Sequence, residues 1–244
     1  MIFLNILFYI YFKILRQRKS KTKSKILTKI FINSQFKSKL LKLAQLTQSQ
    51  LLQELFVINF LNFKRKGFFV EFGACDGIFF SNTLLLEKFF FWRGILAEPS
   101  KFWHSKLRKN RSCAIFYGAV TADNRTKTLL YENNDPGLSG LYKNKDKCIN
   151  SYSVKCIEIN KLLKKFKAPK NIDYLSIDTE GNEYKIIKKL NFLKFRPKLI
   201  TIEHNYRNDK NLIKRYLEKK NYKIFSLAIT KYDMWFYDNK TTNN

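Results

Sequence analysis

Acidic side chains follow the ends of several short apolar segments in this chain of 244 residues. They are Glu71, Asp76, Glu98, Asp178, Glu180 and Glu203, and the last is followed directly by His204 and Asn205. The chain holds 19 acidic residues against 47 lysines and arginines, so six carboxylates at such positions are a marked concentration. Carboxylates and imidazoles exchange protons and attract cations, which predicts a site for a cationic ligand or for acid–base chemistry.

The apolar segments that precede these residues have the length and composition of buried strands. They lie at residues 68–72, 94–97, 114–117, 173–177 and 198–202, and further strands are expected at 154–157, 222–227 and 234–237. Helices are expected at residues 40–63, 81–90, 101–109, 159–166, from the residue after Gly181 to about residue 190, and at 212–219. Ser81 is the expected cap of the second of these helices. Residues 143–153 are polar and are expected to form a loop.

Strands that alternate with helices form parallel sheets with right-handed crossovers. The pattern therefore predicts a doubly wound, Rossmann-like α/β sheet, mostly parallel, in which the closing pair contributes an antiparallel strand at the edge. Ligands bind such sheets at the carboxyl ends of the strands, where all six carboxylates are expected.

The turn at residues 73–77, Gly-Ala-Cys-Asp-Gly, follows the first strand. Its glycines allow a ligand to approach the backbone closely, but Asp76 would repel a pyrophosphate and the Gly-x-Gly-x-x-Gly fingerprint is absent. These features disfavour a nicotinamide dehydrogenase. Glu98 lies 21 residues after Gly77, a spacing typical of an acid that binds a ribose. S-adenosylmethionine has a ribose, two cationic centres and no phosphate, and is the predicted cofactor.

A set of motifs resembles the FkbM-type methyltransferases, a class I S-adenosylmethionine-dependent group. The motifs are Ser-Gln-Leu-Leu-Gln-Glu-Leu-Phe-Val at 49–57, Gly-Phe-Phe-Val-Glu-Phe-Gly-Ala-Cys-Asp-Gly at 67–77, Ser-Asn-Thr at 81–83, Leu-Glu at 86–87, Gly-Ile-Leu-Ala-Glu-Pro at 94–99, Ile-Asp-Tyr-Leu-Ser-Ile-Asp-Thr-Glu-Gly at 172–181 and Ile-Glu-His-Asn at 202–205. The resemblance covers about residues 46–238, and the stretch at 172–181 is its most specific part. Glu54 stands where the family often has Asp, and Cys75 where it often has Asn or another small polar residue.

The resemblance implies the class I methyltransferase fold and O-methyl transfer to a hydroxyl of a sugar, glycan or small metabolite. The expected cofactor-binding residues are Glu71, Gly73, Ala74, Asp76, Gly77, Asn82, Glu98 and Pro99. The expected catalytic residues are His204 as the base, Asp178 as the residue that orients His204 or the acceptor, Glu180 and Glu203. Alternatively, Asp178 and Glu180 hold Mg²⁺ against a sugar diol, since Mg²⁺ prefers oxygen ligands. The loop at residues 133–142 and the stretch 143–153 are expected to help form the acceptor pocket.

The formal net charge of +28 raises the alternative of a nucleic-acid methyltransferase. Residues 1–66 contain 14 basic residues and one acidic residue, and residues 67–244 contain 33 and 18. Lysine greatly exceeds arginine, which disfavours bidentate recognition of bases or phosphates, and an AT-rich coding sequence accounts for the same composition. No Asn-Pro-Pro-Tyr-like motif or catalytic-cysteine signature is present. A nucleic-acid partner is therefore disfavoured.

The first 45 residues have no counterpart in the family's core domain, so an extension at 1–45 and a methyltransferase domain at 46–240 are predicted. Residues 1–15 are apolar and the next ten are rich in basic residues, which favours contact of residues 1–25 with a membrane surface and leaves the rest of the chain on the cytoplasmic side. Cys75, Cys113, Cys148 and Cys156 lack metal-site spacing and favour a reducing compartment. A non-catalytic, membrane-tethered interaction protein that retains the fold is the remaining alternative.

Overall fold

The computed structural model describes residues 35–141, 148–225 and 230–242. Its strands are β1 (Phe68–Phe72), β2 (Arg93–Ala97), β3 (Ala114–Phe116), β4 (Ala119–Thr121), β5 (Lys127–Asn133), β6 (Cys148–Glu158), β7 (Asn171–Ile177), β8 (Arg196–Glu203), β9 (Tyr222–Ile224) and β10 (Asp233–Asp238). Its α-helices are α1 (Lys37–Leu46), α2 (Gln53–Phe60), α3 (Leu84–Phe90), α4 (Lys101–Asn110), α5 (Ile159–Lys165), α6 (Glu183–Lys189) and α7 (Lys210–Lys219), and 3-10 turns lie at Pro136–Leu138 and Asn239–Thr242.

The main sheet has seven strands in the order β3-β2-β1-β7-β8-β10-β9. Strands β3, β2, β1, β7 and β8 pair in parallel, and β10 is antiparallel to both of its neighbours. The order runs outward from β1 through β2 on one side and from β7 through β8 on the other. The strand order therefore reverses between β1 and β7, and a crevice opens there at the carboxyl ends of the strands.

Both faces of the main sheet are covered by helices, which explains why its strands are continuously apolar. Val70 and Phe72 belong to the hydrophobic cluster that includes buried residues of α5, α6 and α7. Phe69, on the opposite face of β1, belongs to the cluster with buried residues of α1, α2, α3 and α4. This is the doubly wound α/β fold that the sequence predicts. The antiparallel strand, β10, does not lie at the edge of the sheet as predicted but next to the edge strand β9.

Two local predictions were wrong, and two strands were missed. Residues 148–153 are not a loop, because β6 begins at Cys148 and pairs with β5 in an antiparallel ribbon. The strands β4 and β5 were not predicted, and with β6 they form a second, three-stranded sheet in the order β4-β6-β5. Ser81 does not cap α3, which begins at Leu84, because the Ser81 hydroxyl instead donates to Glu71.

The described part of the N-terminal extension packs on the domain. Helix α1 spans the predicted boundary at residue 45, and its Leu40 is fully buried in the cluster that covers one face of β1. Among the described residues, the helices are too short or too polar to cross a bilayer. The apolar and basic stretch at residues 1–25 lies outside the described residues, so its contact with a membrane surface stays a prediction.

Candidate active site

A cavity of about 250 Å³ lies at the carboxyl ends of β1, β2, β7 and β8, at the reversal of strand order. Residues 135–141, which we call the covering loop, form one of its walls. The other lining residues are Gln50, Phe72, Gly73, Cys75, Phe79, Phe80, Asn82, Ala97, Glu98, Pro99, Trp103, Gly118, Ala119, Val120, Leu130, Asp178, Thr179, Glu180, Glu203, Asn205 and Tyr232. The cavity thus contains the ends of four strands that are distant in the sequence.

The conformation of the turn after β1 depends on left-handed backbone and on a hydrogen bond to Glu98. Gly73 has a φ of +81°, and a Cβ atom there would lie 2.0 Å from the carbonyl oxygen of Asp178, so only glycine fits between β1 and β7. Cys75 has a φ of +48° and donates its backbone N–H to Oε2 of Glu98 over 2.8 Å. The Oε1 atom of Glu98 accepts from the backbone N–H of Ser100 over 2.7 Å. Burial raises the pKa of Glu98 to about 7, although these two hydrogen bonds act to lower it.

Asp76, Ala74 and Gly77 shape the same turn without lining the cavity. The Oδ1 atom of Asp76 accepts from the backbone N–H groups of Ile78 and Phe79 over 2.9 and 2.6 Å, so Asp76 holds the chain that leaves the turn. Ala74 is buried, and Gly77, with a φ of +81°, packs against Arg111.

Glu71 is buried behind the turn and does not line the cavity. Its Oε1 accepts from the backbone N–H of Asn82 over 2.7 Å, and its Oε2 accepts from the hydroxyls of Ser81 and Thr83. The Arg111 guanidinium lies 3.8 Å from the same carboxylate. Burial nevertheless raises the pKa of Glu71. Glu71 therefore positions residues 81–83, including Asn82, which lines the cavity.

Asp178, Glu180 and Glu203, which we call the carboxylate cluster, line the cavity at the ends of β7 and β8. Burial raises the pKa of Glu180 to about 7, with a further contribution from the negative charge of Glu183. Burial and neighbouring carboxylates raise the pKa values of Asp178 and Glu203 well above their usual ranges. Glu180 adopts a φ of +54° and lies under Gly140 of the covering loop, where an added Cβ would be 3.0 Å from the Glu180 Cβ.

Among the described residues, the group of three carboxylates that could share a metal ion contains Asp178 but not Glu180, the other member of the expected metal pair. Asp178, Glu183 and Glu203 each place a ligand atom within 4.8 Å of the others. Both oxygens of Glu183 are already bound, by the backbone and hydroxyl of Thr179, by the backbone of Gly181 and by the guanidinium of Arg207.

The Arg207 guanidinium lies 3.0 Å from Glu183 and 3.6 Å from Glu203, so it supplies a positive charge to the group. A site for Mg²⁺ needs carboxylate oxygens free to complete an octahedron with water. The set of Asp178, Glu183 and Glu203 therefore does not fit Mg²⁺, and the pairing of Asp178 with Glu180 around a metal ion stays a prediction.

His204 is buried beside the cavity but does not line it. Its Nδ1 accepts from the backbone N–H of Tyr206 over 3.0 Å, and its own backbone N–H donates to the carbonyl of Tyr232. Among the described residues, the buried Nε2 has no hydrogen-bonding partner. Burial and the nearby charge of Lys210 lower the pKa of His204 to about 4, so the ring is neutral near pH 7.

The structure thus brings seven of the expected residues together at the cavity and places others behind it. Gly73, Asn82, Glu98, Pro99, Asp178 and Glu180 line it, as does Glu203. Sequence reasoning missed the aromatic part of the wall, Phe79, Phe80, Trp103 and Tyr232. Phe79 and Phe80 follow the turn directly and could have been found from their position. Tyr232 could not, because its hydroxyl reaches Gln50, 182 residues away, only in the folded chain.

The sheet is doubly wound, has an antiparallel strand next to its edge, and has a cavity where the strand order reverses. These features define a class I methyltransferase fold. The chain belongs to the FkbM methyltransferase family, because the model of the methyltransferase FkbM domain matches residues 71–224. No curated protein sequence matches the chain.

Solved structures of other methyltransferases are similar to the chain at low identity. Methyltransferase FkbM from Methylobacillus flagellatus is 10% identical with a TM-score of 0.47, over 90% of this chain and 58% of that one. Precorrin-6y C5,15-methyltransferase from Geobacter metallireducens is 10% identical with a TM-score of 0.44, over 75% and 86%. The human methyltransferase 10 domain containing protein is 13% identical with a TM-score of 0.38, over 73% and 74%.

Proposed function

We propose that the chain transfers the methyl group of S-adenosylmethionine to a hydroxyl of a sugar, glycan or small metabolite. The observation that supports this most is the cavity at the reversal of strand order, which combines a glycine turn, a buried carboxylate after β2 and further carboxylates after β7 and β8. Family membership supports methyl transfer, and the charge of the cavity wall suits a donor with a sulfonium and an ammonium group.

The donor is proposed to lie across the ends of β1 and β2. Glu98 faces the cavity with both oxygens held by backbone N–H groups, and each oxygen retains a lone pair for a ribose hydroxyl. Pro99, Trp103 and Val120 provide an apolar wall beside it for the adenine ring. The sulfonium end would then lie near Gly73 and Asp178.

The reaction is an in-line displacement at the donor's methyl carbon. The acceptor oxygen forms a bond to the methyl group, the carbon–sulfur bond breaks with its electron pair remaining on sulfur, and the hydroxyl proton goes to a base. Alignment of the three atoms is the enzyme's main contribution, with effects of up to about 7–11 kcal/mol in well-oriented systems.

We assign the base to Glu180 rather than to His204. Glu180 lines the cavity with a pKa of about 7, close to the pH at which a base works best, whereas His204 lies outside the cavity wall with its Nδ1 already bound. Asp178 is proposed to orient the acceptor. Mg²⁺ has no role in the proposed step, because the oxygens of Glu183 are already occupied and Arg207 supplies the positive charge.

Methyl transfer from labelled S-adenosylmethionine to sugar and glycan acceptors tests this function. We expect Glu180→Gln to lower kcat by about 10²–10⁴-fold, as for the loss of a general base, and to remove the acidic limb of the pH profile near pH 7. Glu218→Gln is the matched control, because the Glu218 side chain is exposed. It lies in the last turn of α7, the helix between β8 and β9.

His204→Gln should keep the wild-type shape of the profile. A Glu180→Gln variant with the wild-type rate and profile would refute the assignment of the base. Transfer that disappears with a chelator and returns with Mg²⁺ would show that the metal alternative is correct.

A further inference from the structure

The wall of the cavity has the opposite charge from the rest of the protein. The chain contains 47 lysines and arginines, yet among the described residues none of those that line the cavity is Lys, Arg or His. Five of the lining residues are acidic, namely Glu98, Asp135, Asp178, Glu180 and Glu203. A concave wall of one sign concentrates ligands of the other sign.

The proposed donor accounts for only part of this negative charge. S-adenosylmethionine has two cationic centres and one carboxylate, so its net charge is +1. Glu98 is placed for the ribose, at the end of β2. The carboxylate cluster at the ends of β7 and β8, together with Asp135 on the covering loop, lines other parts of the same cavity wall.

Two buried acceptor atoms at this cavity lack hydrogen-bond donors. Glu203 exposes only 8% of its surface, and among the described residues its Oε2 has no hydrogen bond. The nearest cation, Arg207, lies 3.6 Å from that oxygen and donates instead to Glu183 over 3.0 Å. The Oδ1 atom of Asn82 is likewise buried and without a donor, while its amide nitrogen donates to Ser176. An unmet buried acceptor is costly, so both atoms favour a ligand rich in N–H groups.

We propose that the acceptor carries a cationic amino group beside the hydroxyl that is methylated, and that this ammonium group binds the carboxylate cluster between β7, β8 and the covering loop. This inference rests on the proposed function, since it describes the second substrate of the same cavity. An ammonium group has three N–H donors and one positive charge, and on binding it would favour the ionised form of these carboxyl groups, whose pKa values are raised in the free cavity. Arg207, 3.6 Å from Glu203, supplies one positive charge to the cluster, and a neutral polyol would offer donors but no further charge to offset the other carboxylates.

Two matched pairs of probes test this on the full chain saturated with S-adenosylhomocysteine. The pairs are glucosamine with N-acetylglucosamine, which share their ring hydroxyls, and putrescine with 1,4-butanediol. Binding is measured by calorimetry at about pH 8, where Glu180 is mostly ionised. We expect the amine of each pair to bind about tenfold or more tightly than its neutral partner, because hydrogen bonds to charged groups are the strong ones.

Glu203→Gln and, independently, Glu180→Gln should reduce that preference about tenfold, and Glu218→Gln should leave it unchanged. Using two variants keeps the test decisive if one of them does not fold. Equal binding of the two members of each pair, or binding of neither, would overturn the proposal. So would a preference that is lost on treatment with EDTA, which would show that a metal ion mediates it. Failure of S-adenosylhomocysteine itself to bind would instead refute the proposed function.

Discussion

Buried carboxylates differ in this protein by the donors that surround them. Glu71 accepts two hydroxyls and one backbone N–H and lies near Arg111. Glu54 is fully buried and accepts from the Thr47 hydroxyl and the backbone N–H of Leu85, each over 2.6 Å. Neither residue lines the cavity. At the scale of the residue, a carboxylate that organises the chain is therefore distinguished from one that lines the cavity by its contacts, not by its place in a motif.

These contacts set the limit of what the sequence predicts for single residues. The positions of Glu98, Asp178 and Glu180 after apolar segments were enough to place them at one rim. The same reasoning placed Glu71 and His204 there, although their side chains are directed to residues 81–83 and to Tyr206. The direction of a side chain at a strand end depends on local turns, such as the positive φ of Glu180, which the sequence does not reveal.

Glu54→Gln tests the effect of burial on an acidic residue outside the cavity. Burial raises the pKa of Glu54 from 4.5 to about 7, so the folded state binds the proton more tightly than the unfolded state does. That contribution to stability is present below about pH 4.5 and is lost as the pH rises through about 7. Glutamine cannot ionise and avoids the loss.

We expect the free energy of unfolding of Glu54→Gln, relative to the wild type, to rise by about 1–3 kcal/mol between about pH 5 and about pH 8. Urea unfolding at the two pH values measures it, and comparison with the wild type cancels the titration of the other groups. Glu218→Gln, at an exposed site, should show no such change. A difference between Glu54→Gln and the wild type that is the same at both pH values would contradict the prediction.

Strand ends and the turns after them, rather than helices, build the site at the scale of the element. The ends of β1, β7 and β8 all lead into left-handed backbone, at Gly73 and Cys75, at Glu180 and at Asn205. Such conformations cost free energy and persist where the surrounding structure enforces them, often at functional sites. The main sheet was predictable because its strands are continuously apolar. The ribbon of β5 and β6 was not, because the first half of β6 is mostly exposed and polar.

Gly73→Ala tests the close contact between β1 and β7. The new methyl group would meet the carbonyl oxygen of Asp178 at 2.0 Å, and the backbone has a φ of +81°. We expect the free energy of unfolding to fall by at least about 2 kcal/mol, measured by urea unfolding. Gly137→Ala is the matched control, since its Cβ would meet only Asp135, at 3.3 Å, and we expect a change within about 0.5 kcal/mol. Equal stability of the two variants would show that β1 and β7 can separate without cost.

At the scale of the whole molecule, a basic exterior surrounds an acidic cavity. The net charge of +28 by itself suggests a polyanionic partner, yet the cavity wall contains five carboxylates and, among the described residues, no basic side chain. The charge of the wall is what suits a cationic methyl donor. The alternation of strands with helices predicted the α/β domain, and the carboxylates after the strands predicted an acidic rim. The absence of basic side chains from the cavity wall, among the described residues, is seen only when the distant strand ends come together.

The most direct test of the account is equilibrium binding of S-adenosylmethionine to the full chain, measured by calorimetry. We predict one site in the wild type, and a loss of affinity of about tenfold or more in Glu98→Gln, because the ribose would lose its charged partner. Glu218→Gln should bind like the wild type, and circular dichroism should show that all three proteins are folded. Absence of binding to the folded wild type, or equal affinity in Glu98→Gln, would contradict the placement of the donor in this cavity.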